Sequence, residues 1–316
     1  MFYGKGYVSG KIVYDNVALM SMEVESIPLK MLAVDVAEDL EGTQADGILG
    51  LSPEPTTGSE SFVKKMAENG VIDASQFTVF IGSTEESSYI DFGKYKGDTI
   101  NTTWVDIINP NYWSVIFNSF SYKNKDISLP SRVAVLDTGT SILGFPRGDL
   151  ANIIAAVREE RQLYYLEDIN FYAVQWNNIS EFYDLVIDIN GHTTRIPSEE
   201  YMLQIGKYCI FFLFDLGTRV NFILLGDTYL KGNMIIHDID NKKVGIFPQK
   251  LYYEPRVYEE SFIIFTILII VVLALFVVCI VALVYYHFYK KKHNQVEEES
   301  EVDAYELIGE NERRQP

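Results

Sequence analysis

Cysteine is nearly absent from this chain: there are two, Cys209 and Cys279, and the second lies inside a long apolar run near the end. Such a pair excludes a disulfide framework. The four histidines, His192, His237, His287 and His293, show no ligand-like spacing among themselves or with the cysteines, so neither a metal site nor a cofactor is expected. Positive charge is also scarce, with 26 Lys and Arg against 44 Asp and Glu and a net charge of −18. Phosphate backbones would be repelled, which argues against nucleic acid as a partner. No apolar signal-type region follows Met1. Only one Asp-Thr-Gly occurs, and no Asp-Ser-Gly.

What the chain does contain is apolar and aromatic. In 316 residues, 48% are hydrophobic and 14% aromatic, enough for a sizeable core in one large or two medium domains. Residues 290–316 carry −3 of the charge, which leaves −15 on the first 289. That part would lose net charge, and with it self-repulsion, in an acidic compartment. Short strand-like runs recur: Met1–Gly10 as a hairpin around Gly4 and Gly6, then Lys11–Leu19, Gln76–Gly82, Ser88–Gly93, Trp104–Ile108 and Tyr112–Ile116. Further runs follow at Asp184–Ile189, closed by the turn signal Asn190-Gly191, and at Phe222–Asp227, Met234–Asp238 and Asn241–Pro248. Helical spacing appears in Ser59–Asn69 (Phe62, Val63 and Met66 on one face) and in Arg147–Val157 (Leu150, Ile153, Ile154 and Val157). The pattern is mainly β.

The 26 residues Ser261–Tyr286 hold no charge, glycine or proline. At ~1.5 Å rise per residue they suffice for a bilayer core of ~30 Å. Lys290-Lys291-Lys292 beyond them, with Glu259-Glu260 before, predict a single-pass type I orientation, the β part lumenal or extracellular and the tail cytosolic. Two N-x-S/T sequons, at Asn101 and Asn178, are compatible with that side as glycosylation sites. The expected sorting signal in the tail is Tyr305-x-x-Ile308, overlapping an acidic dileucine-type pattern at Leu307-Ile308; if sorting adaptors read it, the destination is an endosome, lysosome or vacuole.

The chemistry concentrates at Val135-Leu136-Asp137-Thr138-Gly139-Thr140-Ser141. A carboxylate at the end of a buried strand needs hydrogen bonds to stay charged, and a tight turn with small hydroxyl residues supplies them. Around this loop several segments fall into one familiar order. Phe2-Tyr3-Gly4-Lys5-Gly6 resembles an active-site flap, and Ala45-Asp46-Gly47-Ile48-Leu49-Gly50-Leu51 an N-lobe segment. Tyr112-Trp113, Asp137–Ser141, Leu224-Leu225-Gly226-Asp227 and Asn241–Pro248 complete the series. Together they resemble the pepsin-like aspartic peptidases over Met1–Pro248.

The resemblance implies a bilobal pepsin-like fold with a partial N-terminal lobe (1–100) and a complete C-terminal lobe (101–250), followed by a juxtamembrane linker (251–261), a transmembrane helix (262–286) and a cytosolic tail (287–316). It implies Asp137 as a catalytic carboxylate supported by Thr138, Gly139 and Thr140, and Tyr3, Gly4 and Gly6 as a flap over peptide or protein substrates. The family uses two such loops, the first upstream of the flap, so this chain is expected to be truncated and, by itself, to have little peptidase activity. Cys209 matches one half of a family disulfide whose partner position holds Trp176, so its thiol is expected to be free. The competing implication is an inactive pepsin-fold protein that binds peptides or glycans.

Overall fold

The computed structural model describes residues 2–3, 6–19, 26–38, 45–56, 58–82 and 87–248. These belong to the first of two units, Met1–Tyr253; the second is Glu254–Pro316. Gly4, the expected linker, membrane helix and tail, and Tyr305, Leu307 and Ile308 therefore lie outside the described residues. Among the described residues no helix is long and apolar enough to cross a membrane.

The architecture is mainly β, with five sheets and a few short helices among the described residues. The first sheet joins Phe2–Tyr3, Gly6–Val17 and Ile27–Glu38, with Phe2 opposite Tyr7 and Tyr3 opposite Gly6. Phe2–Tyr3 and Gly6–Val17 are thus antiparallel neighbours, as the hairpin reading expects. Gly6–Val17 and Ile27–Glu38 pair along nearly their whole length, with a register shift at Ser9/Gly10.

A second sheet takes strands from distant parts of the chain, in the order Tyr89–Phe92, Gln76–Phe80, Asn233–Asp238, Lys243–Pro248 and Thr103–Asp106. Its middle strand, Asn233–Asp238, is buried at every residue. That explains why Met234-Ile235-Ile236 runs apolar without alternation. The helix Phe62–Glu68 buries Phe62, Val63 and Met66, as its spacing predicts, and Ser61 caps its start.

Two four-stranded sheets come from the later half: Leu163–Leu166, Phe171–Gln175, Tyr208–Phe211 and Met202–Ile205, and His192–Ile196, Leu185–Ile189, Ser119–Tyr122 and Lys125–Asp126. In the second of these, Asn190 (φ 52°) and Gly191 (φ 83°) form the turn between its two longest strands. A two-residue connection of this kind requires positive φ at both positions, which Asn and Gly tolerate. Leu185–Ile189 and His192–Ile196 then alternate strictly between core and surface. The helix Arg147–Arg158 buries Leu150, Ile153, Ile154 and Val157 and packs on the strands Leu143–Phe145 and Leu213–Asp215.

The fifth sheet carries the loop of interest. Its order is Leu213–Asp215, Leu143–Phe145, Phe222–Leu225, Val133–Leu136 and Ser114–Ile116. The chain enters the loop along Val133–Leu136 and leaves along Leu143–Phe145, yet those two strands are not neighbours. Phe222–Leu225 lies between them, parallel to the first and antiparallel to the second.

Candidate active site

Ala134, Val135 and Leu136 are buried, and Asp137 is the first half-exposed residue after them. The strand is tied on both sides: Leu136 N donates to Trp113 O at 2.9 Å, and Asp137 N donates to Leu225 O at 3.1 Å. The chain turns at once, with Thr140 N donating back to Asp137 O at 3.3 Å. Parallel pairing of Leu136 with Leu225 then sets Asp137 beside Gly226. Asp227 N donates to Thr140 O at 2.8 Å, closing the loop against the neighbouring strand. A Cβ on Gly226 would stand 2.0 Å from Thr140 O and 2.6 Å from Ile142 O, so only glycine fits there.

The loop holds each carboxylate oxygen of Asp137 by a separate donor. Gly139 N donates to Oδ1 at 2.9 Å, and Thr140 Oγ1 donates to Oδ2 at 2.7 Å. Bonds of this kind fix the plane of the carboxylate. Thr138 is exposed, and neither bond comes from its side chain.

A second carboxylate senses this one. Burial pushes the Asp227 carboxyl above its ordinary range; Lys231 pulls it down, and the charge of Asp137 pushes it up further. Lys231 is itself paired with Glu200 at 2.8 Å in a largely buried bridge. Thr228 Oγ1 donates to Ser141 O at 3.1 Å, another tie between the two segments. Sequence reasoning takes Leu224-Leu225-Gly226-Asp227 as resembling the strand that passes beside the Asp137 loop and gives Asp227 itself no role. The signal that points to Asp227 is a second apolar run ending in Asp-Thr, as Val135-Leu136-Asp137-Thr138 does.

Trp113 also acts beyond its place in a motif. Its buried ring donates Nε1–H to Leu51 O at 2.8 Å, while its carbonyl receives Leu136 N. One residue therefore links the end of the Ala45–Leu51 segment to the strand that presents Asp137. Within that segment Ile48 and Leu49 are exposed.

The hairpin pairs Tyr3 with Gly6, while the Tyr3 side chain and Gly4 lie outside the described residues. Asn101 and Asn178 are both exposed. Cys209 is a free, buried thiol whose Sγ donates to Trp176 O at 3.2 Å, and burial pushes it up to about 11. Among the described residues no three His, Cys, Asp or Glu side chains converge as a metal site would require.

A family model described as eukaryotic aspartyl protease matches residues 1–249. Pepsin A of Gallus gallus is 27% identical over 255 residues, an alignment covering 78% of this chain and 67% of that protein. Pepsin A of Suncus murinus is also 27% identical over 255 residues, covering 78% and 65%. Gastricsin of Cavia porcellus is 24% identical over 263 residues, covering 77% and 64%. The chain thus spans about two thirds of the length of the curated relatives it matches, 67% and 65% for the two pepsins. In fold it resembles the aspartic proteinase from Irpex lacteus, with a TM-score of 0.67 at 20% identity, covering 79% of this chain and 81% of that one.

Proposed function

Since the chain belongs to the eukaryotic aspartyl protease family, we propose that Asp137 is one of two carboxylates that activate water for peptide hydrolysis. The observation that carries this reading is the pair of bonds from Gly139 N and Thr140 Oγ1, one to each oxygen of Asp137. They hold a half-exposed carboxylate in one orientation at the rim of a buried strand. In aspartic proteases two close carboxylates share a proton, because like charges at that distance cannot both ionise. One then takes a proton from water while the other donates to the carbonyl oxygen. No acyl-enzyme forms. In this reading the Phe2–Gly6 hairpin closes over an extended peptide and excludes water, with Tyr3 at its tip.

The chemistry needs two carboxylates in equivalent loops, and these 316 residues contain one Asp-Thr-Gly. The 316-residue chain assayed alone is expected to hydrolyse acid-denatured protein little or not at all. A form that also carries a second Asp-Thr/Ser-Gly loop is expected to cleave at acid pH and to lose that activity in Asp137→Asn. Robust cleavage by the 316-residue chain, unaffected by Asp137→Asn, overturns the assignment.

We further propose that Ser261–Tyr286 anchors the protein in a membrane with the β part lumenal or extracellular. The support is the charge-free length and the Lys290-Lys291-Lys292 flank. Alkaline carbonate extraction should leave the full chain in the pellet, and release into the supernatant counts against the anchor. Sorting by Tyr305, Leu307 and Ile308 belongs to the same reading. A reporter bearing the tail should shift to the cell surface on Tyr305→Ala with Leu307→Ala.

A further inference from the structure

A groove of about 610 Å³, to which no residue of the Asp137 loop contributes, is lined by Arg161, Gln162, Gln175, Trp176, Asn177 and Glu181 among others. That volume lies in the range of small-molecule sites. The indole of Trp176 is locked: the Arg161 guanidinium stacks 3.6 Å from its ring centroid, and Nε1–H donates to Glu181 Oε2 at 2.9 Å. Beside this rigid aromatic surface stand two primary amides from glutamine, one from asparagine, a guanidinium and two carboxylates, of which Glu160 is paired with Lys123. They supply donors and acceptors in quantity while their charges oppose one another. An anion would meet Glu181 and a cation would meet Arg161. A neutral polyhydroxyl ring, with hydroxyls for the amides and an apolar C–H face for the part of the half-buried indole that Arg161 leaves uncovered, suits the groove.

The sequence places a carrier for such a ring at the lip of the groove. Asn178 directly follows Asn177 and is two residues from Trp176, a span of at most ~7 Å of chain. Its Oδ1 accepts from Ser180 N at 3.1 Å and from Ser180 Oγ at 2.8 Å. Those bonds orient the amide and leave Nδ2 as the atom for attachment. The other sequon is built differently, since Thr103 lies within a strand and pairs with Ile246.

We propose that the groove beside Trp176 seats the first sugars of an N-linked glycan carried by Asn178. This rests on the lumenal placement proposed above. Transfer forms a bond between Nδ2 and C1 of the sugar; the amide gives up one proton and the lipid diphosphate of a lipid-linked oligosaccharide leaves from C1. The seated sugar then holds the turn 176–180 against the sheet Phe171–Gln175 and Tyr208–Phe211.

The test expresses the full chain in eukaryotic cells behind a supplied signal sequence, so that delivery to the lumen does not depend on the natural route. Peptide mass mapping is expected to find a glycan on Asn178. Enzymatic removal is expected to lower the thermal midpoint by about 2–4 °C. Trp176→Ala, and separately Gln162→Ala with Gln175→Ala on the exposed rim, are expected to remove most of that glycan-dependent shift. An unglycosylated Asn178 overturns the proposal, as does an equal shift in parent and rim variants. The same mapping on protein delivered by its natural route tests the placement alone: a glycan on Asn101 without one on Asn178 leaves the lumenal reading standing while the groove assignment falls.

Discussion

At the scale of single residues, Asp137 depends on one hydroxyl. Thr140 Oγ1 is the donor to Oδ2 at 2.7 Å, and hydrogen bonds to charged groups contribute roughly 1.5–3 kcal/mol. Thr140→Val keeps the shape and removes the donor. In a catalytically complete form, kcat/KM is expected to fall by about 10–100-fold, corresponding to that range. A variant within twofold of the parent would show that the hydroxyl does not orient the carboxylate.

His237 is a second residue whose surroundings set its behaviour. It lies fully within the core, stacked on Phe77 at 4.3 Å and edge-on to Trp113 at 4.8 Å. Burial pushes its imidazole down to about 3, while the backbone contacts at Ile235 and Phe77 pull weakly the other way. In the unfolded chain it takes a proton near its ordinary value of ~6.5. The unfolded state therefore binds more protons between the two values. The stability is complete above ~6.5 and falls as the pH drops toward about 3, by up to ~1.4 kcal/mol per pH unit. His237→Phe keeps the ring stack and removes the proton site. Urea midpoints at pH 7 and pH 4 should differ less in the variant than in the parent, and equal differences would refute the account.

At the scale of elements, the site is a product of one crossing. The strand Phe222–Leu225 threads between the two arms of the Asp137 loop, and Gly226 touches Thr140 O where it emerges. Gly226→Ala forces a methyl group to within 2.0 Å of that backbone oxygen. Overpacking of this kind costs about 1–3 kcal/mol or more. The thermal midpoint should drop, and Asp137 should lose its register with the neighbouring strand. An unchanged midpoint would mean that the loop relaxes freely. The same contact shows why helices and tight turns are more legible than this element. Leu150, Ile153, Ile154 and Val157 announce a helix through local spacing, and Asn190-Gly191 announces a turn. Leu163–Leu166 and Met202–Ile205 show no comparable local signal, because their pairing partners, not their own alternation, decide which face is buried.

At the scale of the molecule, burial is uneven. Ile12, Tyr14, Val34 and Val36 on the long hairpin sheet are exposed, and so are Ile48 and Leu49. Ile12 and Tyr14 stand two residues apart on one strand, and apolar side chains exposed at that spacing share a face that can associate with another surface. Val34→Thr with Val36→Thr retains strand propensity and lowers the apolar area. The described unit should then self-associate less in sedimentation at equal concentration, with little change in thermal midpoint. Unaltered association would place the sticky surface elsewhere. The acidic excess of −15 in the first 289 residues acts on the same scale, since its self-repulsion weakens as carboxylates protonate.

The sequence by itself determined the loop. The donors to Asp137 come from residues two and three positions on, so Asp-Thr-Gly-Thr carries its own hydrogen-bonding pattern in local spacing. The free state of Cys209 was equally legible, since Cys279 lies in the apolar run and leaves it no partner. Tertiary structure alone decided how the neighbours of the loop are tied to it. Asp227 comes near Asp137, and Trp113 ties Leu51 to Leu136, through pairings between segments tens of residues apart. Periodicity reports which face of an element is buried and not which element covers it. The carboxylate was therefore visible in the chain from the start, and the resemblance already set Leu224–Asp227 beside its loop, while the passage of Phe222–Leu225 between the loop's arms and the electrostatic part of Asp227 belong to the tertiary structure alone.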